Sequence, residues 1–143
     1  MKNIYIFIFF LFIAIINGLF FNFLNDSFFH LKDSMHDDIS KEEMAFLAIL
    51  VAPFLETLFF QFLFYKVLNG WLGLKNDVVC ILIMSLAFSQ MHWYNWLYVV
   101  MTFFGGLILN TFYITFRGRT RYYFMLTVLF HALYNLYGVL FVK

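Results

Sequence analysis

The chain has 143 residues, 64% of them apolar and only 12% charged, where an ordinary soluble domain is roughly half apolar and a quarter charged. That balance excludes a soluble globule, and 23 phenylalanines exclude a disordered chain, which needs low hydrophobicity and high net charge. A net charge of +1 leaves no basic face for nucleic acid, so the remaining class is an all-α, polytopic transmembrane helix bundle with the lipid bilayer as its first partner.

Asp, Glu, Lys and Arg are costly at the centre of a bilayer, so stretches without them locate the helices. Residues 3–25 carry none, 44–65 carry only Glu56, 78–116 carry none and 122–142 carry none. The third stretch is too long for one crossing at 1.5 Å of rise per residue, and it divides at His92-Trp93-Tyr94-Asn95-Trp96. At about 20 residues per span, the expectation is five spans near 4–23, 43–66, 77–92, 96–116 and 122–141, in a single membrane domain over 1–143.

The first span lacks a small-residue cleavage site and reads as a retained helix rather than a removed signal peptide. The loop from Asn25 to Glu43 holds six of the eight acids. Its last residues, Ser40-Lys41-Glu42-Glu43, fit a capping box that starts the second span. Its His30, Asp33, His36 and Asp37 have no tight metal-ligand spacing and read as solvated surface. The single cysteine, Cys80, sits between Val79 and Ile81 and reads as a packing residue, since a reactive thiolate needs a polar setting. Lys and Arg counts favour a cytoplasmic N-terminus: Lys2, Lys66, Lys75, Arg117, Arg119 and Arg121 are then inside, against Lys32, Lys41 and Lys143 outside. On this count His92 sits near the outer face, with Glu56 and His131 at mid-bilayer.

The informative residues in such a chain are the polar ones inside the spans. Glu56 is the only acid there, and a carboxylate at that depth must be protonated, paired or wet. His131 and Asn135 are four apart and share a helical face, while His92 ends the third span. A lone intramembrane His is often only an interhelical hydrogen bonder. One Glu, two His and one Asn on three helices of a small bundle make a catalytic inventory. Glutamate can take a proton from water and deliver it to a leaving amine while a neutral His orients the water, and His and Asn suit an oxyanion. A serine mechanism through Ser85 or Ser89 with His92 leaves Glu56, His131 and Asn135 without roles.

Three stretches in order resemble the CPBP family of intramembrane proteases, named for CAAX processing and bacteriocin processing and also called Abi proteins. Ala52-Pro53-Phe54-Leu55-Glu56-Thr57-Leu58-Phe59-Phe60-Gln61 resembles the family's Pro-x-x-Glu-Glu-x-x-Phe-Arg motif. Phe88-Ser89-Gln90-Met91-His92 matches its Phe-x-x-x-His, and His131-Ala132-Leu133-Tyr134-Asn135 its His-x-x-x-Asn. Phe104-Gly105-Gly106 through Asn110, then Arg117-Gly118, is similar to its fourth helix and basic turn. The resemblance covers about residues 48–140, preceded by one extra span and the acidic loop. It implies that Glu56 and His92 activate water, and that His131 and Asn135 stabilise the oxyanion. It favours no cofactor; the alternative is Zn²⁺ on Glu56, His92 and His131 with an open fourth position.

Two departures stand out. The family's second Glu is Thr57 here and its Arg is Gln61. These positions are i and i+4, so both members of a charged pair have become neutral together, which is far less damaging than losing one. The expectation is that Thr57 and Gln61 hydrogen-bond in place of the ion pair, and that they and Phe88 support the site. Pro53 can loosen the helix just before Glu56. The leading function is therefore an intramembrane endopeptidase acting on a membrane-associated protein or peptide precursor, in the cytoplasmic membrane of a bacterium. The alternative is a non-catalytic immunity or peptide-binding protein of the same fold. A proton-relay or transport subunit is a third class, without the inverted repeat expected of transporters.

Overall fold

The computed structural model describes residues 2–31 and 40–141. Asp33, His36 and Asp37 of the acidic loop, and Lys143, lie outside the described residues. Five helices run in order: α1 (Lys2–Phe29), α2 (Lys41–Trp71), α3 (Asp77–Gln90), α4 (Trp96–Arg117) and α5 (Tyr123–Phe141). No strand occurs among the described residues, so the fold is the expected all-α bundle.

Four of the helices are long and apolar enough to cross a membrane, and the chain is an integral membrane protein. Large apolar side chains such as Phe12 and Phe20 on α1, Leu50 and Phe59 on α2, and Leu82 and Leu86 on α3 are exposed, as lipid-facing residues must be. α3, two residues shorter than the expected 77–92, is not one of the four. Its 14 residues rise about 21 Å at 1.5 Å each, short of a hydrocarbon layer about 30 Å thick.

Local chemistry sets the boundaries. The Ser40 capping box is formed as expected: the Glu43 N–H donates to Ser40 Oγ at 3.2 Å, and the Ser40 N–H donates to Glu43 Oε2 at 3.2 Å. Asn76 caps α3 by accepting from the Val78 N–H at 3.0 Å. Asn95 caps α4 by accepting from the Tyr98 N–H at 2.9 Å. Just past the end of α3, His92 Nδ1 lies 2.9 Å from the Phe88 carbonyl oxygen, which also accepts from the Met91 N–H at 3.2 Å.

α3 and α4 cross where Ser85 meets Gly106. A Cβ on Gly106 would lie 3.2 Å from Ser85 Cα, so a side chain there would force the α3 backbone to give by a few tenths of an ångström, and the glycine makes a small-residue contact of the kind membrane helices use. Aromatic packing fills the rest. Phe112 stacks on Phe116 and Phe130 with centroids 4.3 and 4.4 Å away, and Phe7 and Phe10 of α1 meet Phe112 edge-on. A second cluster joins Tyr65, Leu68, Met84, Tyr113 and Cys80. Cys80 is fully buried there, with its thiol on the Leu74 carbonyl, as a packing residue would be. At the same end of the bundle, Tyr65 donates to Asp77 Oδ1 at 3.0 Å and accepts from Arg117 Nη1 at 3.0 Å, which ties α2, α3 and α4 together.

Candidate active site

α2 is not a uniform α-helix. Wide, i to i+5 turns run over Leu47–Val51 and Thr57–Leu63, and between them one ordinary α-helical stretch, Ala52–Glu56, carries the acid. Pro53 comes directly after the first wide turn. A proline ring clashes with the carbonyl of residue i−4 in a regular helix and has no N–H to donate, and here the wide turn lies just N-terminal to it. Wide turns of this kind occur often at functional sites.

The acid meets both histidines. Glu56 Oε2 lies 3.8 Å from His92 Nε2 and 3.5 Å from His131 Nε2. The charge count puts His92 near the outer face and Glu56 at mid-bilayer; the 3.8 Å contact brings the two side by side instead. Side-chain exposure falls from 23% at Glu56 to 14% at His92 and 6% at His131, so the carboxylate is the member most open to an incoming molecule. Phe88 fits between the imidazoles, its ring centroid 4.5 Å from that of His92 and 5.9 Å from that of His131.

The two rings present opposite chemistry to the acid. His92 uses Nδ1 on the Phe88 carbonyl, which accepts only, so Nδ1 carries the proton and Nε2 offers a lone pair. His131 Nδ1 is buried without a hydrogen-bond partner among the described residues. A buried orphan N–H costs more than a bare ring lone pair, which assigns the proton to Nε2 and makes that atom a donor. Glu56 Oε2 also has no hydrogen-bond partner among the described residues; its distances to the imidazoles are contacts rather than bonds.

Asn135 reaches the same helix two turns away, donating from Nδ2 to the Ala48 carbonyl at 2.8 Å. Thus α5 grips α2 at two points, His131 at Glu56 and Asn135 at Ala48. Thr57 and Gln61 are both fully buried, but the hydrogen bond expected between them is not made. Thr57 Oγ1 has no partner among the described residues. Gln61 Nε2 donates instead to Asn110 Oδ1 at 3.1 Å, and Asn110 Nδ2 donates to Ser85 Oγ at 2.9 Å. Gln61 has found its partner across the bundle rather than along its own helix.

Asn110 was not among the candidate residues of the sequence, although it ends the Phe104–Asn110 stretch of the resemblance. A fully buried amide in an apolar helix carries the same signal that singled out Glu56. Ser85, weighed as a nucleophile, donates to the Ile81 carbonyl at 2.7 Å and accepts from Asn110, so it belongs to this framework. Among the described residues no group of three or more His, Cys, Asp and Glu side chains is arranged to hold a metal ion.

Apolar spans enclose one carboxylate and two imidazoles in contact, with a carboxamide two turns away joining the same two helices, as in an intramembrane protein with polar residues inside its bundle. The family model for Rce1-like proteins, described as type II CAAX prenyl endopeptidases, matches residues 43–137, and the chain belongs to that family. In general terms it is a CAAX-type intramembrane endopeptidase. The match leaves α1 outside it and takes in Glu56, His92, His131 and Asn135. No curated protein and no solved structure matches the chain.

Proposed function

We propose that the protein hydrolyses a peptide bond of a membrane-associated protein or peptide precursor by glutamate-dependent attack of water. The ionised Glu56 and the His92 Nε2 lone pair both accept from a water molecule, and Glu56 takes its proton as the oxygen bonds to the scissile carbonyl carbon. The carbonyl electron pair moves onto oxygen, where the His131 Nε2–H donates to the oxyanion. Glu56 then delivers its proton to the amine nitrogen as the C–N bond breaks. The observation that carries this course is the pair of imidazoles about one carboxylate, His92 Nε2 at 3.8 Å and His131 Nε2 at 3.5 Å, with the assigned tautomers making the first an acceptor and the second a donor. Acid–base and oxyanion catalysis need one of each.

Zinc on Glu56, His92 and His131 fits less well. A metal-bound His nearly always gives its other ring N–H to an acceptor, and His131 Nδ1 has none among the described residues. We favour a substrate presented from the bilayer of a bacterial cytoplasmic membrane, such as a peptide precursor or a C-terminal membrane segment. The neutral Thr57 and Gln61 favour the second function, a non-catalytic peptide-binding or immunity protein.

Cleavage of a candidate precursor by purified protein tests this, comparing wild type with Glu56→Gln and His131→Ala. Glu56→Gln is expected to lose about 10²–10⁴-fold, the usual worth of a general acid–base group. Equal cleavage by wild type and Glu56→Gln would overturn the mechanism, and precursor binding without cleavage by wild type would establish the non-catalytic function.

A further inference from the structure

The Ala48 carbonyl has lost both of its helical donors. In an α-turn it would accept from the Ala52 N–H, but that group donates to Leu47, five residues back. In a continued wide turn it would accept from residue 53, which is proline and has no N–H. Within a bilayer such a group must find a partner in the protein, and the partner is the Asn135 carboxamide at 2.8 Å. We propose that Asn135 is a positioning residue: it clamps the carbonyl that Pro53 leaves without a donor, and so fixes the wide turn that sets the direction of Glu56.

The consequence for the site comes from helix phase. A wide turn adds one residue to the helix, and its relaxation to α-geometry rotates the next stretch of helix by roughly 100° at 3.6 residues per turn. Glu56 lies on the stretch directly after the turn, so losing the clamp swings the carboxylate away from His92 and His131. The role rests on the glutamate-dependent mechanism proposed for the site and adds to it a backbone function for Asn135. It also explains why one helical face carries both His131 and Asn135: one meets the acid, and the other holds the turn that aims it.

Proline supplies the test, because Pro53→Ala restores an N–H that can serve Ala48 and should make Asn135 dispensable for the clamp. Four chains are compared: wild type, Asn135→Leu, Pro53→Ala and the double variant. Labelling of Glu56 by a hydrophobic carbodiimide reads the carboxylate without requiring activity, with Glu56→Gln as the unlabelled control. Asn135→Leu is expected to change the labelling rate at least fivefold and lower kcat at least tenfold with little change in KM. In the Pro53→Ala background the same substitution should alter either by less than twofold. An equal change of labelling rate in both backgrounds overturns the clamp, as does equal loss of kcat, which would make Asn135 a direct contact of the reacting atoms. If Glu56→Gln cleaves like wild type, the glutamate mechanism falls, while the labelling cycle still decides the clamp.

Discussion

Gln61 of α2 donates to Asn110 of α4 at 3.1 Å, both side chains fully buried. This carboxamide pair, extended to Ser85 at 2.9 Å, joins three helices beside the site, one of them the helix that carries Glu56. Asn110→Leu leaves the Gln61 amide unpartnered, which is expected to destabilise the protein by about 1–3 kcal/mol. Adding Gln61→Leu should cost less than the sum of the two single changes. Reversible unfolding in mixed detergent micelles measures both, and strict additivity would mean that the pair is not coupled.

The opposed imidazoles predict unequal tolerance. Gln at position 131 keeps an N–H donor, so His131→Gln should retain more activity than His131→Leu, which is expected to lose about 10²–10³-fold in kcat as removal of an oxyanion donor does. At position 92 a lone pair is required, so His92→Gln, whose Oε1 can accept, should retain more activity than His92→Arg, whose guanidinium only donates. Single-turnover cleavage rates give the ranking, and the reverse order would exchange the roles of the two rings.

Gly106 is the tightest point of the α3–α4 crossing, and a side chain there would meet the Ser85 backbone at 3.2 Å. Gly106→Val must push the helices apart. The expected destabilisation is about 1–3 kcal/mol, typical of overpacking, with loss of cleavage because α3 carries His92 at its end. Thermal unfolding and activity are read together, and unchanged values would show that α3 can move without harm.

Tyr65 provides a control far along α2 from Glu56. Tyr65→Phe removes the hydroxyl that bridges Asp77 and Arg117, which is expected to lower stability by about 0.5–1.5 kcal/mol while leaving the cleavage rate within twofold. A large loss of activity would mean that this end of the bundle communicates with the site.

The cytoplasmic N-terminus expected from six inside charges against three predicts an external C-terminus. A topology reporter fused after Lys143 should be active only outside, and activity inside would invert the bundle.

The capping box at Ser40 and the set Glu56, His92, His131 were legible in the sequence because each depends on local chemistry. A cap needs only residues three apart, and polar groups stand out in a chain this apolar. The end of α3 was legible to within two residues, at Gln90 against the expected 92, because the polar His92-Trp93-Tyr94-Asn95-Trp96 stretch interrupts the apolar run. Helical spacing made Thr57 and Gln61 look like partners, whereas the wide turn over Thr57–Leu63 departs from the geometry on which i to i+4 pairing rests. Gln61 therefore pairs with Asn110, a contact 49 residues away in sequence that no local pattern encodes. Pro53 was expected to loosen the helix; the wide turn before it agrees, and the Asn135 bond adds a restraint at the same place.

A helix of 14 residues cannot match the thickness of the membrane around it. Next to α3 the lipid layer must thin by several ångströms, or the loop from Met91 to Asn95 must lie below the surface with Trp93 and Trp96 at its rim, both exposed. A shortfall at the C-terminal end of α3 brings headgroups and water nearer to His92. Acyl-chain length thereby becomes a variable of the reaction: thicker bilayers make that indentation more costly, and turnover in vesicles should fall as the chains lengthen.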